Sequence, residues 1–81
     1  MFEFHADRKK YFDIQVLNAE KYIIPFIESC FTLFKGMRVL EIGCGEGGVL
    51  KPFLDRGAIC TGVEFDKTRT ENGAIWLGKE I

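Results

Sequence analysis

Four glycines within six residues, Gly43, Gly45, Gly47 and Gly48, directly follow the short apolar-rich segment Arg38-Val-Leu-Glu-Ile42. That segment is bounded by glycine on both sides and reads as a strand buried on both faces, ending in a glycine-rich turn. After the turn, Val49, Leu50, Phe53 and Leu54 resume helical spacing up to Gly57 at the expected C′ position. Pro52 sits near the first turn of this helix, where its missing donor costs less. Residues 58–65 contain Ile59, Cys60, Thr61 and Val63 and read as a second strand.

The flanks are helical. From Asp7 to Phe34 the apolar residues Phe12, Val16, Ala19, Ile23, Ile27, Cys30 and Phe34 recur at steps of four and three, the period of a buried stripe. Pro25 lies within it, where its ring crowds the carbonyl of Lys21, so a kink or a break into two helices is expected. Gly36 supplies the stop. After the second strand, Thr68-Arg-Thr-Glu71 has capping-box spacing, and Ala74, Leu77 and Ile81 form an inward stripe on a last helix that Gly73 and Gly78 weaken.

Two strands joined through a helix must run parallel, with a right-handed crossover. The fold class is therefore α/β: a helical leader over residues 1–35, then a βαβ unit and a following helix over residues 36–81. Parallel sheets carry helices on both faces and further strands beside them. The chain is accordingly expected to be the N-terminal part of a Rossmann-like, doubly wound domain that about 120 to 170 further residues complete.

Composition narrows the function. A 47% hydrophobic and 28% charged chain is globular rather than disordered. Eleven Lys and Arg against twelve Asp and Glu leave a net charge of −1, which argues against nucleic acid or anionic lipid as partner. The basic run Arg8-Lys9-Lys10 is expected to be a solvated helix face. Charges and prolines interrupt each apolar stretch and Glu3 and Asp7 occupy the start, so neither a membrane span nor a signal peptide is read. Cys30, Cys44 and Cys60 are odd in number and widely spaced, as expected of buried reduced thiols in a cytoplasmic protein. His5 stands alone, and no metal site is expected.

A glycine turn at the carboxyl end of a parallel strand lets a ligand touch the backbone, and the N–H groups at the following helix start attract negative charge. Glu64, at the end of the neighbouring strand, would lie about 4.8 Å to the side. A carboxylate there can accept two hydrogen bonds from the vicinal hydroxyls of a ribose, so turn and acid together indicate a nucleoside-containing cofactor. The bland alternative is a tight turn whose glycines serve only close packing, with Glu64 a solvated strand end. Read as G-x-G-x-x-G, Gly43, Gly45 and Gly48 fit an NAD or FAD dinucleotide fold, with Glu64 near the expected twenty-residue separation. Read as acidic-x-G-x-G-x-G, the motif uses Glu41, Gly43, Gly45 and Gly47.

In this second form the phrase VLEIGCGEG resembles the first motif of the class I S-adenosylmethionine-dependent methyltransferases, and LKPFLDRGAICTGVEFD over residues 50–66 is similar to the continuation of that motif. The resemblance is strong over residues 36–72 and weak in the leader. It implies S-adenosylmethionine as cofactor, with Glu41 positioning its methionine amino group and Gly43, Cys44, Gly45 and Gly47 lining the methionine end. It also implies that Glu64, where the family usually has Asp, binds the ribose, and that Phe65 borders the adenine. Tyr11 is either a core aromatic or a cover for the cofactor carboxylate. Cys44 is not expected to act as a nucleophile, since the family uses this position for its backbone. In the family, base and substrate-contacting residues lie mostly after the third and fourth strands, so neither catalytic residue nor methyl acceptor is assigned. The 81 residues alone are expected to self-associate and to lack methyl transfer. A non-catalytic nucleotide-binding or interaction module is the remaining alternative.

Overall fold

A computed structural model describes residues 7–79; His5 and Ile81 lie outside them. Helix α1 (Arg8–Asn18) starts at Asp7, whose carboxylate accepts the backbone N–H of Lys10 at 3.0 Å. It runs without a break through a π turn (Ala19–Ile23) into α2 (Ile24–Glu28). Strand β1 (Arg38–Ile42) follows, then α3 (Lys51–Asp55), β2 (Ile59–Val63) and α4 (Lys67–Leu77).

The π turn answers the problem posed by Pro25. Proline offers no N–H to the preceding turn, and the extra residue lets Ile24 N–H reach back to the carbonyl of Ala19 instead. Pro25 then stands in the first turn of α2, where a missing donor does no harm. Neither a break nor a stop at Gly36 is found: the helix ends at Glu28, and Ser29 Oγ donates to the carbonyl of Phe26 at 2.6 Å. The inserted residue also shifts the buried stripe by one position. Phe12 and Ala19 are buried as the period requires, but beyond the π turn it is Ile24 that is buried. Cys30 and Phe34, expected in the stripe, lie past the helix and are exposed.

The strands pair in parallel, Arg38 opposite Ile59 through Ile42 opposite Val63, with α3 in the connection between them. This is a mixed α/β arrangement around a two-stranded parallel sheet. The described residues cover one face of the sheet. Ile24, Cys44, Leu50, Phe53, Ala58 and Cys60 form the core against it, with Val39, Met37 and Ile27 packed at its margin. The other face carries Leu40, Ile42, Ile59 and Val63, all exposed, so the expectation of strands buried on both faces is corrected.

Two helix boundaries differ from the sequence pattern. Helix α3 begins only at Lys51, because Gly47 to Leu50 form a separate turn. Helix α4 is capped by Asp66, whose carboxylate accepts Arg69 N–H at 3.3 Å, rather than by Thr68. An aspartate in extended backbone, placed to accept from the residue three positions on, wins over a threonine already inside the helix. No helix among the described residues is long and apolar enough to cross a membrane.

Candidate functional site

The glycine turn begins where β1 ends. Gly43 and Cys44 donate their backbone N–H groups to the carbonyl of Val63, at 2.6 and 3.2 Å, which ties the turn to the last residue of β2. Gly43, Gly45 and Gly47 have φ of 73°, 59° and 88°, left-handed values that side chains rarely tolerate. At Gly43 and Gly45 an added Cβ would meet nothing within 4 Å, so these two are glycine for backbone conformation and face open space. Gly48 differs: a Cβ there would stand 2.8 Å from the carbonyl of Phe12 and 2.7 Å from Gln15 Cβ. It is glycine because α1 packs on it.

Glu64 is joined directly to this turn. Its Oε1 accepts the backbone N–H of Gly45 at 2.8 Å and its Oε2 accepts that of Asp66 at 3.2 Å. An ionised carboxylate has about four lone-pair positions, so two acceptor positions are left over. Glu41 lies half-buried in β1 opposite Gly62, and its Oε1 is buried with no hydrogen-bond partner among the described residues. Burial pushes its carboxyl above the ordinary range. Cys44 is buried beside both acids. Its thiol is pushed up by burial first, then by the charges of Glu41 and Glu64, and less by Glu46.

A cavity of about 300 Å³ opens between the turn, β2 and α4, lined in part by Cys44, Gly45, Glu46, Gly62, Thr70 and Glu71. Hydrogen bonds to Val63 and Glu64 bring Gly43, Cys44, Gly45 and Glu64 together, with Glu41 at the base of the turn, and of these five Cys44 and Gly45 line the cavity. Gly47 is buried within the turn rather than facing the cavity. Phe65, two residues past β2, is fully exposed, its ring packed on none of the described residues. Tyr11 is half-buried on α1, with the Arg8 guanidinium 4.8 Å from its ring centroid. Of the thiols, Cys44 and Cys60 are buried and free, whereas Cys30 is exposed, contrary to expectation. No group of three potential metal ligands gathers among the described residues.

Sequence reasoning missed Glu46 and Arg8. Glu46 is 1% exposed, at the centre of the turn, and Arg8 grips it from α1 through Nε to Oε2 at 2.9 Å and a terminal nitrogen to Oε1 at 2.8 Å. Arg8 is therefore no part of a solvated basic face, although Lys9 and Lys10 are exposed. A charged residue between two left-handed glycines was the available signal, but nothing in the spacing of the chain names its partner.

The orphaned Glu41 oxygen suits an ammonium donor, the open Gly43 and Gly45 backbone suits close ligand approach, and the spare Glu64 positions suit a vicinal diol. Comparison with known protein families, curated proteins and solved structures gives no match to this chain.

Proposed function

We propose that this chain is the cofactor-binding N-terminal part of a class I S-adenosylmethionine-dependent methyltransferase, and that its two-stranded sheet belongs to a Rossmann-like, doubly wound domain. The observation that carries the reading is the 2.8 Å bond from Gly45 N–H to Glu64. It joins the acid that would bind ribose to the turn that would bind the methionine end, in one rigid unit at the carboxyl edge of a parallel pair. Brought this close, a diol-binding carboxylate and a side-chain-free turn can contact the same ligand.

Bound there, S-adenosylmethionine would supply an electrophilic methyl group on a sulfonium. The chain's own residues bind and orient: Glu41 accepts from the α-ammonium group, Glu64 holds the ribose hydroxyls, Phe65 offers its exposed ring to the adenine, and Gly43 to Gly45 give backbone contact. The methyl acceptor and the base remain unassigned. One feature favours this over a dinucleotide site: Gly45 N–H, a donor a pyrophosphate would need, is already taken by a carboxylate.

Isothermal titration of the chain with S-adenosylhomocysteine and with NAD tests the reading. Binding of the first and far weaker binding of the second is expected. Tighter binding of NAD would overturn it.

A further inference from the structure

The glycine turn holds itself through a few backbone bonds, from Gly47 N–H to the Cys44 carbonyl at 2.9 Å and from Leu50 and Lys51 N–H to the Gly47 carbonyl at 3.0 and 3.1 Å, and none of them fixes where Glu46 lies. Three of its residues adopt left-handed φ values, and glycine crosses between the two halves of the Ramachandran map at small cost. Ties to neighbours therefore add to these internal bonds in fixing its form. The first half has such ties, from Gly43 and Cys44 to Val63 and from Gly45 to Glu64. Beyond Gly45 the turn passes through Glu46, which is gripped on two sides. Its carboxylate, with no exposed side-chain surface, takes both hydrogen bonds of a bidentate pair from Arg8. Its backbone carbonyl lies so close to Gly73 of α4 that an added Cβ there would sit 2.7 Å from it.

A buried ion pair is an expensive way to stabilise a small domain, since two well-packed apolar side chains give as much or more. What a fork-to-fork pair supplies instead is geometry: two parallel bonds fix distance and orientation together. Arg8 itself is held in place, its guanidinium 4.8 Å from the Tyr11 ring centroid. Helix α1 is docked independently of the pair, through Phe12 against Trp76 at 5.4 Å between ring centroids and through its contact with Gly48.

We propose that Arg8 is a positioning residue for the ligand site: through Glu46 it holds the second half of the glycine turn in the conformation that a ligand meets, so that the turn is ordered only while α1 is docked. The consequence for the ligand rests on the cofactor reading above; the effect on the turn does not. By linkage, a ligand that binds the ordered turn also tightens α1.

The test replaces both partners in the full chain, R8M with E46L, so that packing volume is kept while the paired bonds are lost, and adds R8K, which keeps the charge without the fork. Trp76 fluorescence reports whether α1 stays docked. Hydrogen exchange at the amides of residues 45–48 reports order in the turn without any ligand. The expected result is unchanged Trp76 emission, at least tenfold faster exchange at those amides in R8M/E46L, and an intermediate rate in R8K. Affinity for S-adenosylhomocysteine should fall about tenfold or more in the double variant. Exchange in R8M/E46L equal to that of the parent chain overturns the proposal, as does loss of α1 docking with no separate effect at the turn. If the parent chain fails to bind S-adenosylhomocysteine, the cofactor reading falls and the exchange rates still decide the role of Arg8.

Discussion

Glu64 and Gly45 are nineteen residues apart in sequence and 2.8 Å apart as hydrogen-bonded atoms, so the end of β2 and the turn after β1 form a single structural unit. The bond lets Glu64 shape the turn, and two acceptor positions of its carboxylate remain unused.

Replacing Glu64 with Ala should therefore move two measurements at once. Hydrogen bonds to a charged partner contribute about 1.5–3 kcal/mol, so calorimetry should show affinity for S-adenosylhomocysteine reduced roughly 10- to 150-fold. Chemical denaturation should show a loss of stability of similar order, because the N–H groups of Gly45 and Asp66 lose their acceptor. Unchanged affinity in a variant of lowered stability would confine Glu64 to holding the turn.

Gly73 offers a test of packing alone. In a helix interior Gly→Ala ordinarily adds about 1 kcal/mol of stability. Here the new Cβ would lie 2.7 Å from the Glu46 carbonyl, a backbone atom that cannot swing away. Overpacking of this kind costs about 1–3 kcal/mol, so the clash wins. Gly73→Ala should lower the melting temperature by several degrees, whereas Thr68→Ala, on the exposed side of the same helix, should leave it nearly unchanged or slightly raised. A rise in both would mean that α4 and the turn are less closely packed than described.

Much of this arrangement is written locally in the chain. The two strands, their parallel pairing and the turn follow from short apolar segments separated by glycine, and Gly57 and Pro52 fall where helix-end chemistry puts them. The π turn was not legible, because a sequence period assumes a constant 3.6-residue repeat, whereas relief at Pro25 inserts one residue and passes burial to Ile24. The Arg8–Glu46 pair was not legible either. Thirty-eight residues separate its members, and only the folded path of α1 across the turn brings them together. For the candidate site, the acids and glycines could be named from type and spacing; which glycines serve conformation and which serve packing needed the neighbours of each Cβ.

Glu41 makes stability depend on pH in a stated direction. Its carboxyl is raised by burial, so the folded chain holds the proton to higher pH than the unfolded chain does. Between the unfolded value near 4.5 and the higher folded value the native state binds more protons, and stability falls as pH rises through that window. Below it both states are protonated and the penalty is absent. Glu41→Gln should flatten this part of the profile, with a gain over the parent near pH 7 and little difference near pH 4, as urea unfolding at the two values would show. On the proposed function, the same substitution weakens cofactor binding by removing the acceptor for an ammonium group. A variant that is less stable than the parent at pH 7 would count against the burial account.

The open face of the sheet sets the last expectation. Leu40, Ile42, Ile59 and Val63 are 62%, 79%, 57% and 50% exposed, and the parallel register puts Ile42 directly beside Val63. Both strands also have an unpaired edge among the described residues, since the sheet has only two members. Apolar surface next to free strand edges favours contact with another copy. Sedimentation of the 81-residue chain should therefore show concentration-dependent association. The double variant Ile42→Lys, Val63→Glu puts opposite charges on a neighbouring pair, a combination that supports strand pairing while making the face polar. It should shift the equilibrium toward monomer without changing the far-ultraviolet spectrum. A parent chain that stays monomeric at every concentration, or a variant that associates equally well, would show that this face does not drive self-association.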